Sequence, residues 1–373
     1  MADSAERPGS GFVDLQAAAT ELDAWLWETA LPLWASAGVD PANDGFEEVL
    51  TLEGQRSERP RRSRVQARQT FVFATVAARE RGRRWHDTAV RGFAAFRARY
   101  RRPDGLFVNR VGTDGRVLDA TAPLYEQAFA LLAMSALHRP EPAAGLLDDA
   151  LELRAALDGY RARAGGFREL GVRPYQANAH MHLLEAALAW EEAGFDQTWA
   201  ALADEIVDLA LQRFIDPATA TLQEVFDADW CAVTGEAGLV EPGHHFEWAW
   251  LLERWGRSRG DAQARSTARG LFRVGLFGVD RRRCVAIDSL MDDLSPREAT
   301  ARLWPQTEYL KAAMILGEDA EALVACNGLR RYLQTPKAGV WRDRMLPDGA
   351  FVEEAAPASS LYHILGSVLA VAG

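Results

Sequence analysis

The chain has 373 residues, 48% of them hydrophobic, and a formal net charge of −11. That length holds one large domain or two ordinary ones around a substantial core, and the acidic balance excludes a nucleic-acid partner, which would need a basic face. No apolar run approaches the roughly 20 residues of a membrane span, and the polar start MADSAERPGSGF lacks the apolar stretch of a secretory signal, so a cytoplasmic protein without a membrane partner is expected.

Helical periodicity dominates from end to end. Twelve helical segments are expected, centred near residues 23, 74, 92, 131, 151, 186, 206, 250, 267, 308, 325 and 366. Short and long connections alternate between them. Leu202, Ile206, Leu209 and Phe214 form the one-sided stripe of an outer helix. Met181 to Trp190, MHLLEAALAW, is apolar nearly all round, as a helix buried on both sides would be. The long connections DGLFVNRVGTDGRV, LQEVFDADW, RCVAID and GVWRDRMLPDGAF carry turn signals and short strand-like runs. Ser295 to Glu298, SPRE, reads as a capping box that opens a helix with proline at its first position. Pro123, Pro242 and Pro305 fall at or just before helix starts. Cys231, Cys284 and Cys326 are too few and too scattered for a disulfide framework.

Each long connection leads into a helix with a polar or aromatic opening. Those openings hold Arg68, Tyr125, His182, His244, Gln306 and His363, which recur roughly every 60 residues. Six helical hairpins of constant period are expected to close as a ring, an (α/α)6 barrel with the long loops and the inner-helix N-termini at one end. The whole chain, residues 1–373, is then a single catalytic domain, with residues 1–10 a flexible N-terminus. An open solenoid of helix pairs is the alternative.

The openings carry the chemistry. In PGHHFEWAWLL, Pro242 to Leu252, His244 and Glu247 stand three residues apart on one helix face, and His182 and Glu185 repeat that spacing. A histidine exchanges protons near neutral pH, and a neighbouring carboxylate orients it. His363 opens the last helix in SSLYHILG, while His180 and His245 read as structural partners. Gln306 and Glu308 suit hydroxyl recognition, and Trp304 suits stacking on a sugar face. Tyr125 and Glu126 serve either packing and capping or ligand contact. Neither HMH nor HHxxE has the spacing or third ligand of a recognisable zinc helix, so no metal is expected. The acidic MDDL, Met291 to Leu294, reads as a solvated loop. So does the basic RPRRSR, Arg59 to Arg64, although its place ahead of Arg68 leaves open an anionic group on the substrate.

The segments QARQTFVFA, YEQAF, NAHMHLLEA, PGHHFEWAWLL, WPQTEYLKA and LYHI, in this order and spacing, resemble the N-acylglucosamine 2-epimerase superfamily. That superfamily includes mannose isomerases, sulfosugar isomerases and cellobiose 2-epimerases. The resemblance spans almost the whole chain and implies an (α/α)6 barrel and metal-free chemistry without a cofactor. It implies that His363 takes a proton from carbon 2 of an open-chain sugar and that His244 is its acid/base partner. Arg68, His182, Glu247, Gln306, Glu308, Trp304 and Tyr125 then bind substrate, with Arg68 at the reacting end, where a permanently charged guanidinium can hold a developing enediolate.

The expected activity is isomerisation of a mannose-type aldose to a fructose-type ketose through a cis-enediolate. The close alternative is 2-epimerisation of an N-acylglucosamine, cellobiose or glucose/mannose. A glycoside hydrolase would need two flanking acids, where this chain offers histidines; a non-catalytic sugar-binding barrel is the remaining class. The partner is a small sugar, and a homodimer is compatible with the sequence.

Overall fold

A computed structural model describes residues 14–139, 144–194, 197–233 and 239–373. The N-terminal residues 1–10, expected to be flexible, lie outside these. Helix α1 (Leu15–Trp25) continues through a π-helical stretch, Leu26–Ala30, into α2 (Leu31–Ser36). Then follow α3 (Ser63–Ala77), α4 (His86–Tyr100), α5 (Leu124–His138), α6 (Ala144–Ala156) and α7 (Ala177–Glu192). The chain ends with α8 (Gln197–Leu209), α9 (Pro242–Arg259), α10 (Ala262–Gly275), α11 (Leu303–Leu316), α12 (Asp319–Tyr332) and α13 (Ser360–Ala372). With α1 and α2 taken as one rod, these match the twelve segments expected.

The helices form two concentric layers. α3, α5, α7, α9, α11 and α13 pack side by side in that order, and α13 returns to α3, so the inner layer is a closed ring. α4, α6, α8, α10 and α12 each lie outside the inner helix before them, and α1 backs α13. The fold is thus an all-α (α/α)6 barrel, closed where the two ends of the chain meet. Burial follows the layers. Of MHLLEAALAW on α7, only Ala189 is partly exposed, whereas α8 buries Leu202 and Ile206 and turns its other face outward. Among the described residues, no helix is long and apolar enough to cross a membrane.

All six long connections gather at the end where the inner helices begin, and short antiparallel strands stitch them together. Arg61–Arg62 pairs with Arg110–Val111, Tyr175–Gln176 with Val225–Phe226, Ala301–Arg302 with Arg344–Met345, and Val49–Leu50 with Ala356–Pro357. Near the closure, Trp34 stacks on Trp341 with ring centroids 4.7 Å apart and donates its indole N–H to Gly339 O at 2.9 Å. Gly339 has φ +98°, and a Cβ there would meet Thr29 O at 2.7 Å, so only glycine lets this strap lie against the first helix.

SPRE does not open a helix. Pro296–Glu298 is a strand paired with Ser289–Leu290, and α11 begins at Leu303. The intervening turn decides it: Asp293 Oδ1 accepts the Ser295 N–H at 2.9 Å and also binds its hydroxyl, so the would-be cap is held inside a hairpin. Pro123 is the N-cap of α5, Pro242 opens α9, and Pro305 lies in the first turn of α11. The three cysteines are unpaired.

One device recurs at five of the six inner-helix starts. A buried side chain in the first turns bonds to the backbone of the loop ahead of it. Gln66 accepts from Phe46 N and donates to Phe46 O, both at 2.8 Å. Gln127 does the same to Phe107, at 2.8 and 2.9 Å. His180 accepts from Phe167 N at 2.9 Å, His245 from Leu222 N at 3.0 Å, and Gln306 from Ala286 N at 3.0 Å. A buried backbone group without a partner costs about 1–3 kcal/mol, so these loops are pinned to the barrel. Gln127→Leu, which strands both polar groups of Phe107, should therefore lower the unfolding free energy by about 3 kcal/mol. Urea denaturation measures this, and a loss well under 1 kcal/mol would contradict the bracing role.

Candidate active site

At the loop end the ring encloses a pocket of about 450 Å³. Arg68 from α3, Tyr125 from α5, His182 from α7, His244 and Glu247 from α9, Trp304 from α11 and His363 from α13 all line it. Six inner helices thus contribute to one site. Their N-termini point into it, and the exposed N–H dipoles favour negative charge there.

Trp304 lies close to both His244 and His363. The indole centroid lies 5.2 Å from the His244 ring and 6.0 Å from the His363 ring. Both imidazoles are nearly buried, yet their partners differ. His244 Nδ1 is 2.9 Å from Glu224 Oε1 and 3.7 Å from Glu241 Oε2. Burial disfavours its charged form, but Glu224 and Glu241 outweigh that and hold its pKa up at about 10. The ring is cationic at neutral pH, with Nε2–H free to donate.

His363 is the converse. Burial is the main force on it, and with Arg68 and Lys311 nearby it is pushed down to about 4, against the pull of Glu308. Its Nδ1 meets Glu308 Oε1 at 2.8 Å. Glu308 is fully buried and kept ionised: burial opposes its charge, but Lys311, 2.8 Å away at Nζ, and His363 lower its pKa. The His363 ring is therefore neutral, with Nδ1–H donating to the carboxylate and Nε2 carrying a lone pair.

His182 Nδ1 lies 3.7 Å from Glu185 Oε2 and 3.6 Å from Glu247 Oε1. Burial pushes His182 down to about 4, so its ring is neutral, and raises Glu247 well above the usual carboxylate range. Glu185 is held down at about 2: burial opposes its charge, but the nearby His182 ring and the Lys311 ammonium outweigh it, and Tyr362 Oη donates to it. His182, Glu185 and Glu247 bring donor atoms within 4.8 Å of one another, the one set among the described residues that could hold a cation. The Lys311 ammonium acts on both of these carboxylates.

Arg68 donates to Tyr125 Oη at 2.9 Å and lies 4.1 Å over the Phe129 ring. Two of the expected substrate-binding residues lie away from the pocket. Gln306 does not reach the pocket: it is the brace on Ala286, and its amide N–H is used by Ala325 O at 2.7 Å. Glu308 does not line the pocket either and works from beneath, through His363. His180 and His245 each accept from a loop N–H and contact the carbonyl four residues back, and burial holds both near a pKa of 4, so they are neutral struts as expected. MDDL is exposed. RPRRSR, in contrast, is not a solvated loop. Arg61 is buried on Asp40 and Glu47, while Arg62 and Arg64 line the pocket and are anchored on the buried Glu48 and Glu126.

The sequence profile of N-acylglucosamine 2-epimerase (GlcNAc 2-epimerase) matches residues 45–367. A mannose-6-phosphate isomerase of Rhizobium meliloti is 44% identical over 95% of this chain and 97% of its own length. The cellobiose 2-epimerase of Spirochaeta thermophila superimposes with a TM-score of 0.85 at 21% identity, covering 96% of each chain. A D-mannose isomerase structure gives 0.85 at 19% identity over 98% of this chain and 99% of that one. The chain belongs to the N-acylglucosamine 2-epimerase family. It is a sugar isomerase or epimerase.

Sequence reasoning missed several residues of this family member's site. Glu224 and Glu241, which keep His244 charged, were passed over, as were Arg302 and Asp343 on the pocket wall. Asp343 is pushed up to about 6 by burial. Asn178 also lines the pocket, and its buried Oδ1 has no partner among the described residues, which leaves an acceptor open to a sugar hydroxyl. A signal for Glu224 did exist. It stands two residues after the braced Leu222, and Glu48, Glu169 and Asp288 stand two after Phe46, Phe167 and Ala286. Each serves an inner-helix entrance: Glu48 accepts from Arg62 N, Glu169 from Leu124 N and Tyr125 N, and Asp288 from Arg302 N.

The two imidazoles should be distinguishable in solution. Imidazole ¹⁵N shifts at neutral pH should show His244 doubly protonated and His363 neutral. Glu224→Gln should lower the His244 pKa. A neutral His244 in the unmodified protein would contradict the electrostatics.

Proposed function

We propose that this chain interconverts a mannose-type aldose and the fructose-type ketose by metal-free acid/base chemistry. The observation that carries this reading is the opposite protonation of two imidazoles facing one pocket. In the open-chain aldose, His363 Nε2 takes the proton from carbon 2. The bonding pair forms the C1–C2 double bond, and the charge moves to the carbonyl oxygen of a cis-enediolate. The Nε2–H of His244, the Arg68 guanidinium and the helix N-termini stabilise that oxygen. His363 then returns the proton to carbon 1 on the same face, while His244 gives its proton to the oxygen on carbon 1 and takes the one from the oxygen on carbon 2, and the ketose results. No electron leaves the sugar, so no redox partner is needed. Delivery to carbon 2 from the opposite face, by His244, would give the epimer instead, and the charged His244 ring in the same pocket is what favours keeping that second reading. Trp304 stacks on the sugar, while His182, Tyr125, Asn178 and Glu247 hold its hydroxyls.

Lys311 supports chemistry without a metal, since its fixed ammonium already acts by its charge on Glu185 and Glu247, the two acids of the set that could hold a cation. For the substrate, the support is the R. meliloti relative, whose name specifies a 6-phosphate. The guanidinium groups of Arg62, Arg64 and Arg302 at the pocket suit a phosphate, each anchored by one carboxylate with further N–H donors left over. We take the whole barrel as one catalytic unit and a mannose 6-phosphate as the preferred form.

Incubation with mannose 6-phosphate, and separately with mannose, in heavy water should yield the ketose with deuterium at carbon 1, with the phosphorylated sugar giving the higher kcat/KM. Glucose labelled at carbon 2 without ketose would instead establish epimerisation. His363→Asn and His244→Asn should each lower kcat by about 10²–10⁴-fold. The free-enzyme profile of kcat/KM should be a bell. It falls below pH about 4 as His363 becomes protonated and above about 10 as His244 loses its proton. Glu224→Gln should move only the alkaline limb, to lower pH. Activity should survive a chelator; loss restored by a divalent ion would overturn the metal-free reading.

A further inference from the structure

The mechanism leaves the buried cation Lys311, on α11, without a task. Lys311 is one of two lysines in a chain that otherwise relies on arginine, and it is 3% exposed. Its Nζ lies 2.8 Å from Glu308 Oε2 and 3.9 Å from the centroid of the Trp250 ring. The other oxygen of Glu308 meets His363 Nδ1 at 2.8 Å. The stem of Lys311 crosses α13 at Gly366, one turn beyond His363, where a Cβ would stand 3.3 Å from Lys311 Cδ. So α13 carries no side chain at the point where the lysine passes, and the ammonium is seated beneath the base.

We propose that Lys311 is a positioning residue: by holding Glu308 as a carboxylate turned towards α13, it fixes the tautomer of His363 that leaves Nε2 unprotonated towards the sugar. This rests on the reading of His363 as the base. A carboxylate bonded to an imidazole can otherwise do either of two things. Unneutralised, it draws a proton onto the ring and spends the base; itself protonated, it no longer selects Nδ1–H. An ammonium on the far oxygen prevents both. The other charged or titratable groups facing this trio are Arg68 from α3, His182 and Glu185 from α7, His244 and Glu247 from α9, and Tyr362 from α13. Of the carboxylates, Glu185 and Glu308 are ionised, so the ammonium is the counter-charge that the floor of the pocket requires.

Lys311→Met keeps the length of the stem and removes the charge. Expected are a fall in kcat of about tenfold or more with KM little changed, and an acid limb of kcat/KM shifted to higher pH by about one unit. A full-strength acid limb at its original pH, whatever the loss of rate, would reduce Lys311 to packing and overturn the proposal. Lys311→Ala gives a second test. A cavity of about 760 Å³ at the opposite end of the barrel reaches Lys311, so propylammonium chloride should restore both rate and limb where sodium chloride of equal ionic strength does not. Absence of rescue in a folded variant counts against the proposal. In the unmodified protein, ¹⁵N spectra should show His363 as the Nδ1–H tautomer; the Nε2–H tautomer overturns the idea without any variant. His363→Asn separates the two levels. If it keeps turnover, the assignment of the base fails; if it is inactive while Lys311→Met leaves the limb unmoved, the role of Lys311 alone fails.

Discussion

A loop buried at the mouth of a barrel must find partners for its backbone, and that requirement shapes everything at this end of the molecule. Water cannot serve Phe46, Phe107, Phe167, Leu222 or Ala286, so a glutamine or histidine from an inner helix does. The choice is between two side chains that present an acceptor on a short, rigid plane. Once that residue is pinned, the loop has no freedom for the next two positions. Glu48, Glu169, Glu224 and Asp288 are thereby delivered to helix entrances. At three of them the acid meets backbone N–H groups that helix geometry leaves unpaired. At the fourth it meets an imidazole. The charge on His244 is thus a by-product of the same strut that holds the barrel rim, put to a chemical use.

Four histidines of the inner helices illustrate how little of a side chain's behaviour resides in the side chain. His180 and His245 bond to backbone alone, and burial leaves them neutral. His244 bonds to a carboxylate that, among the described residues, pairs with no arginine or lysine, and the ring carries charge. His363 bonds to a carboxylate that a lysine already neutralises and carries none. An acid and a base are made from one residue type by the second partner of the carboxylate. The difference lies one bond further out than the site itself.

The twelve helices were readable because each buries one stripe or all faces, and the period of 3.6 survives in the sequence as hydrophobic spacing. The ring was readable from the recurrence of polar openings, and the two histidines that line the pocket from the family's motifs. What stayed hidden has a common cause. Gln306 looks the same whether its amide faces a hydroxyl or a loop backbone, and the deciding partner, Ala286, is twenty residues upstream in a connection with no helical register. SPRE has the composition of a capping box, and only the bond from Ser295 N to Asp293 shows that the chain has turned back as a hairpin. Lys311 acts through a histidine distant in sequence, and nothing in the composition around it announces a role; the place of Glu224 two residues after Leu222 gains meaning only from the brace on Leu222. Sequence periodicity reports which face is buried; it does not report which partner waits there.

The ring also explains why the pair comes from α9 and α13, which are not neighbours. α11 stands between them, and its inward stripe is Trp304, Glu308 and Lys311, at spacings of four and three residues that place them one above another on a single face. The first lies close to both imidazoles, the second orients His363, and the third lies deepest, beside Glu185 of α7. α7 repeats the order with Asn178, His182 and Glu185. Along each of these helices the residues run from open polar groups at the mouth to a sealed charge layer, beyond which the second cavity begins. Because that layer is shared by α7, α9, α11 and α13, altering one helix's contribution changes the field on both histidines. The helix that touches each of them, α11, is therefore where a change in sequence would most readily retune the balance between returning the proton to one face and delivering it to the other.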